Sequence, residues 1–151
     1  MSAGRWTLHL DDVLLPGPNR LIRMNAHDYR KLRDEILLLA RATLTPAPPP
    51  APLEACHVTV TLHRPARSLL DADAKYGAVK PLLDVLQPPR AYSRRVGART
   101  VQDTTAGLGL LRDDRDGEGA LQGCIRALRV VQVIGAPRVE VVLDAVQDPS
   151  A

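Results

Sequence analysis

Asp71-Ala72-Asp73, Lys80-Pro81-Leu82-Leu83-Asp84 and Asp113-Asp114 are the residues of this chain best suited to chemistry. They supply five carboxylates and one lysine. Hard divalent cations take oxygen ligands, and carboxylates are their usual protein donors where phosphoryl groups react. Crowded carboxylates repel one another, and a bound cation relieves that conflict. Such an ion polarises a phosphoryl oxygen and activates a water, and a pair of ions can stabilise both attacking and leaving oxygens. A nearby lysine neutralises charge on the phosphate. The chemistry this set points to is metal-assisted phosphodiester cleavage.

Spacing brings the groups within reach of one another. Asp71 and Asp73 project to the same side if their segment is extended. Asp73, Lys80 and Asp84, separated by seven and four residues, share one face if the helix is continuous. Each piece alone has an ordinary reading. Asp-x-Asp is often an N-cap or a solvated loop, Asp113-Asp114 a turn, and Lys80–Asp84 a surface pair worth tenths of a kcal/mol. The combination and its order carry the chemical reading.

The elements that must position these residues follow from pattern. Trp6 to Leu10 reads as a strand, ended by a loop at Pro16-Gly17-Pro18-Asn19. Asn25 is a good N-cap for a helix from Ala26 to Thr43, with Leu32, Ile36, Leu39 and Ala40 on one face. The proline-rich stretch 45–52 is a stiff connector. Glu54 to His63 is the cleanest strand. Arg64 to Leu70 is a loop that delivers the acidic pair. Tyr76 to Leu86 reads as a helix that either kinks at Pro81 or begins near Lys80. The polar, basic stretch 87–105 reads as a long loop. Arg115 to Gly119 is turn-like. Ile125 to Ile134 and Arg138 to Val146 read as two strands joined by Gly135-Ala136-Pro137, most simply a hairpin. The order β-α-β-α-β-β predicts an α/β (α+β) fold, a small mixed sheet with two main helices packed on it. One domain spans 1–151, with a loose tail at 147–151.

Composition narrows the function classes. The net charge of +3 permits nucleic-acid binding without requiring it. The charge is uneven: Arg20, Arg23, Arg30, Lys31 and Arg33 face only Asp28, and Arg90, Arg94, Arg95 and Arg99 have no acid among them. With Trp6, Tyr29, Tyr76, Tyr92 and no Phe, the chain lacks the rings of a stacking platform for single strands. Cys56 and Cys124 match no metal or redox spacing and read as small core residues in a reducing compartment. The four histidines share no ligand spacing. No apolar stretch has the length of a membrane span, and no leader pattern opens the chain. The expectation is a soluble cytoplasmic protein without a membrane partner.

Asp71-Ala-Asp73, the run Tyr76-Gly-Ala-Val-Lys80-Pro-Leu-Leu-Asp84-Val-Leu86 and Leu110-Leu-Arg-Asp113-Asp114 together resemble the RusA family of Holliday junction resolvases. Leu15-Pro-Gly-Pro-Asn-Arg20, with Arg23-Met24, resembles that family's opening loop. The resemblance runs from Trp6 to Val146 in matching order. It implies a RusA-like fold and a Mg²⁺-dependent homodimeric endodeoxyribonuclease, with Mn²⁺ able to replace Mg²⁺. Such enzymes act on branched DNA such as a four-way junction and are often encoded by prophages. By this resemblance Asp71, Asp73 and Asp114 are the essential acids, with Asp113 beside the last. Lys80 is the catalytic lysine and Asp84 a further acid of the site. Metal ligands are then drawn from Asp71, Asp73, Asp84, Asp113 and Asp114, and the nine basic residues above grip DNA backbone. The chain departs from the family in having Ala74 where Asn is usual, and in placing Lys80 seven residues after Asp73 instead of four.

The leading expectation is therefore a structure-specific nuclease making paired nicks. Ala74 motivates the alternative, a catalytically weakened protein that binds branched DNA. A third reading is an interaction module whose acids are merely solvated.

Overall fold

The alternation of Val58, Val60 and Leu62 with Thr59, Thr61 and His63 makes one face of a strand apolar, and this strand becomes the centre of the sheet. The computed structural model describes residues 4–113 and 123–147. The chain is a mixed α+β protein. Its elements are β1 (Arg5–Asp11), α1 (Pro18–Arg23), α2 (Ala26–Thr43), β2 (Cys56–Arg64), α3 (Ala74–Ala78), α4 (Lys80–Leu86), β3 (Arg90–Val96), β4 (Arg99–Thr105), β5 (Ile125–Ile134) and β6 (Arg138–Ala145). A 3₁₀ turn, Ala66–Ser68, follows β2.

Four strands form the main sheet in the order β1-β6-β2-β5. β2 lies antiparallel to β6 and parallel to β5, so the sheet is mixed. One face carries Leu8, Leu10, Val58, Val60, Leu62, Val139, Val141 and Leu143, all buried against α2 and α4. α2 contributes Ile36, Leu37 and Ala40, while α4 contributes Leu82, Leu83, Val85 and Leu86. The opposite face carries half-buried or exposed groups such as His57, Thr59, Thr61 and Arg129.

Several sequence expectations hold. Asn25 caps α2, its side chain accepting from the Asp28 amide at 2.8 Å. Stretch 45–52 forms neither helix nor strand beyond an isolated bridge from Thr45 to Thr7, and Trp6 donates from its indole to the Ala47 carbonyl at 3.0 Å.

Three expectations are corrected and one open alternative is decided. The Pro16–Asn19 loop gives way at Pro18 to α1, because proline's fixed φ suits a first helical turn. Of the two alternatives for Tyr76–Leu86, the helix that begins near Lys80 is the one observed: α4 starts at Lys80 so that Pro81 falls in its first turn, and a separate short helix, α3, precedes Val79. The long loop 87–105 is the hairpin β3–β4. Its two-residue turn, Gly97-Ala98, has φ +65° at Gly97, the geometry of a turn with glycine in its first central position. Finally, β5 and β6 do not pair. β2 lies between them, and Gly135-Ala136-Pro137 crosses its end, where the Gly135 amide donates to Arg64 O at 3.0 Å. A strand that buries its whole apolar face gains most as the central one, with a neighbour on each side. The expected turn at 115–119 and most of the tail at 147–151 lie outside the described residues.

Candidate functional site

Two side chains anchor the turn that carries Asp71 and Asp73. Arg64, buried at the end of β2, donates through Nε to Ser68 O at 2.7 Å and through Nη1 to Leu15 O at 2.5 Å. Burial pulls its pKa below the usual arginine value. Gln132 on β5 accepts from the Leu70 amide at 2.8 Å and donates to the Leu70 carbonyl at 2.7 Å. The glutamine amide thus acts as a strand neighbour for the residue just before Asp71.

The turn itself is not extended. Asp73 has helical dihedrals, φ −84° and ψ −37°, and caps α3 by accepting from the Ala74 amide at 3.0 Å. The Asp71 carbonyl accepts from the Lys75 amide at 3.1 Å. Both aspartates are exposed.

Lys80 opens α4 and Asp84 lies about one turn further along it. Lys80 Nζ lies 3.1 Å from Asp84 Oδ1, and Tyr29 of α2 donates from its hydroxyl to Asp84 Oδ2 at 2.7 Å. Burial, then the hydrogen bond to this carboxylate, pushes the Tyr29 phenol above its usual range. The expected face shared by Asp73, Lys80 and Asp84 required a continuous helix, and the break at Val79 removes that basis.

Asp113 is half-buried next to the start of β5. Its Oδ1 accepts from the Cys124 amide at 3.0 Å and its Oδ2 from Arg112 Nε at 3.1 Å. Cys124 and Cys56 are both buried, as small core residues should be, and the Cys56 amide donates to Cys124 O at 2.9 Å. Cys124 Sγ donates to Leu53 O at 3.0 Å, and the neighbouring Cys124 thiol, together with burial, pushes the Cys56 thiol up.

The acidic groups therefore leave the sheet at different places. Leu70 is held at Gln132, near the end of β5, whereas Asp113 is held at Cys124, before its first residue. Lys80 and Asp84 belong to the helical segment that joins these regions. Among the described residues no three His, Cys, Asp or Glu side chains are grouped to hold a metal ion. Asp114 lies outside the described residues. The donor chemistry of Asp71, Asp73 and Asp114 is all carboxylate oxygen and fits Mg²⁺ or Mn²⁺.

Five of the nine candidate basic residues line two clefts that share α2 as a wall. One, of about 630 Å³, is lined by Arg20, Arg23 and Lys31 together with Asp28 and Glu35. The other lies between α2 and the hairpin and holds Arg30 and Arg33 with Tyr29 and Tyr92. It is adjoined by a cavity of about 170 Å³ lined by Arg33, Asp84, Gln87 and Arg90. Strand register puts Arg90, Arg94 and Tyr92 on one face of the hairpin, with Arg99 opposite Val96 on that face and Arg95 on the other. Arg94 pairs with Asp103 at 3.0 Å. The Thr104 amide, assisted by Arg94 and Tyr92, holds the Asp103 carboxyl below its usual range.

The hairpin joins α4 at Gln87, whose amide oxygen accepts from Arg90. Gly107 passes so close to α4 that a Cβ there would sit 2.0 Å from the Gln87 carbonyl oxygen.

Sequence reasoning singled out neither Tyr29 nor Gln132, Arg64 or Gln87. Their partners are distant in sequence or are backbone groups, and no spacing announces them. The two-residue Gly97-Ala98 turn was the one available signal for the hairpin.

Comparison with protein-family models, with curated proteins and with solved structures found no match. No described helix is long and apolar enough to cross a membrane.

Proposed function

We propose that this chain is a Mg²⁺-dependent endodeoxyribonuclease of the RusA type, acting as a homodimer on branched DNA in the cytoplasm. The observation that carries the reading is the position of the Lys80–Asp84 pair. It follows the anchored Asp71–Asp73 turn, and Asp84 also lines the cavity that holds Arg33 and Arg90.

Asp71, Asp73 and Asp114 would hold the metal, which supplies an activated water and a polarised phosphoryl oxygen. Lys80 stabilises negative charge that grows on the phosphate oxygens. Asp84, fixed by Tyr29, holds the lysine ammonium at the start of α4. Arg64 and Gln132 keep the acidic turn against the sheet. The arginines of α2 and the hairpin bind phosphates, which gives affinity and salt dependence but little sequence information. A two-fold dimer suits a substrate that requires two matched nicks.

The test is cleavage of a synthetic four-way junction against matched linear duplex, with Mg²⁺ and with EDTA. Paired nicks on the junction alone, only with metal, support the reading. A junction left unbound and uncut overturns it.

One observation favours a second reading, a weakened nuclease that binds branched DNA. Where the RusA family usually carries Asn, this chain has Ala74, and its amide ties up Asp73 Oδ1 at 3.0 Å. A junction bound tightly but uncut with Mg²⁺ and Mn²⁺ would establish it.

A further inference from the structure

We propose that the cleft between α2 and the β3–β4 hairpin is a slot for one unpaired nucleotide, with a purine base between Tyr29 and Tyr92 and its phosphate on Arg33. The inference rests on the DNA-binding reading for its source of nucleotide. It concerns a different part of the protein from the acidic turn.

The cleft measures about 360 Å³, within the range of sites that enclose a small ligand. Its two walls each bring one aromatic ring, Tyr29 from α2 and Tyr92 from β3. Both hydroxyls are tethered, Tyr29 to Asp84 at 2.7 Å and Tyr92 to Asp103 at 3.4 Å. Rings held at their polar ends offer fixed faces, and a base stacks on such faces whatever its sequence context. This is a slot for one base, not the platform whose absence the composition predicts.

Arg33 is the feature that calls for a ligand. Its Nε is buried and has no hydrogen-bond partner among the described residues, while its Nη2 reaches only the Ala106 carbonyl at 3.5 Å. Buried donors are normally satisfied, and a guanidinium fits a phosphate with two parallel hydrogen bonds. Arg33 also lines the adjoining cavity with Arg90, so a phosphate there would meet two guanidinium groups, beside an Asp84 carboxylate already held by Lys80 and Tyr29. Arg30 stands on the same side of α2. Asp34, also on the wall, is an acceptor for the exocyclic amine of adenine. A base, a phosphate and an amine together describe a nucleotide better than a simple anion.

The experiment is titration of the intact protein with dAMP, with inorganic phosphate and with deoxyadenosine, followed by ¹H–¹⁵N spectra that include the arginine Nε–H signals. Binding of dAMP should shift the amides of Tyr29, Tyr92 and Thr104 and the Nε–H of Arg33. Phosphate alone and nucleoside alone should bind at least about tenfold more weakly. Tyr92→Leu, on the protruding hairpin, should weaken dAMP at least about tenfold without altering phosphate binding, and Arg33→Gln should weaken both. If dAMP shifts these signals no more than phosphate does, or shifts them not at all, the proposal is overturned. If the protein binds dAMP here but no four-way junction, the DNA reading fails and the slot stands. The reverse result removes the slot and leaves the DNA reading intact.

Discussion

Tyr29 donates a 2.7 Å hydrogen bond to Asp84 Oδ2 across 55 residues of sequence, joining α2 to α4. The same carboxylate receives Lys80 through its other oxygen. One phenol thereby orients the lysine that the proposed reaction needs. Tyr29→Phe should cost about 1 kcal/mol, the usual value for a partly exposed hydrogen bond. The folded phenol titrates above its unfolded value of 10.0. Below pH 10 both states are protonated and the contribution is complete. As pH rises past 10 only the unfolded chain ionises, so the contribution is lost. Urea unfolding at several pH values checks this. A wild-type advantage over Tyr29→Phe that stays constant from neutral to strongly alkaline pH would contradict the assignment.

Gln132 holds Leu70 by both its amide and its carbonyl. Gln132→Leu keeps the bulk and removes both hydrogen bonds, leaving two part-buried backbone groups unpaired. The expected cost is about 1–3 kcal/mol. Hydrogen exchange at Leu70 should accelerate more than at Val60. Equal acceleration at both positions would mean general destabilisation and not release of the acidic turn.

Gly107 has no room for a side chain against Gln87. Its neighbour is backbone, which cannot rotate away. Gly107→Ala should destabilise by about 1–3 kcal/mol, the usual range for overpacking. A melting temperature equal to wild type would show that the hairpin base is looser than described.

On the proposed mechanism, Asp73→Asn removes a metal ligand and spares the arginines. Cleavage of a four-way junction should fall at least ~100-fold, while binding measured by gel shift stays within about twofold. Loss of both together would argue against a metal role for Asp73.

Arg99 lies on the exposed hairpin and has no side-chain partner among the described residues. If it contacts a phosphate, Arg99→Ala should reduce the slope of log affinity against log salt by about 0.9. An unchanged slope would take the hairpin tip out of the DNA interface.

The sequence by itself determined the elements whose apolar periodicity is strong. α2 begins at its Asn25 cap, and β2 alternates as Val58, Val60 and Leu62 require. These are local signals, carried by neighbours within a turn or a pleat. The hairpin β3–β4 escaped because most of its residues are exposed, so no buried stripe marks it. The pairing of β5 and β6 escaped because a short Gly-Pro connection says that the chain reverses but not what lies between the arms.

The candidate site divides in the same way. Residue types and order made Asp71, Asp73, Lys80 and Asp84 visible, since carboxylate and ammonium chemistry belongs to the residue itself. Their setting belongs to the tertiary structure. Only the fold brings Gln132 to Leu70, Tyr29 to Asp84 and Arg33 to a cleft where its Nε has no hydrogen-bond partner among the described residues. Hydrogen bonds between groups so far apart in the chain leave no periodicity, because their spacing is set by sheet order and helix packing and not by any repeat along the backbone.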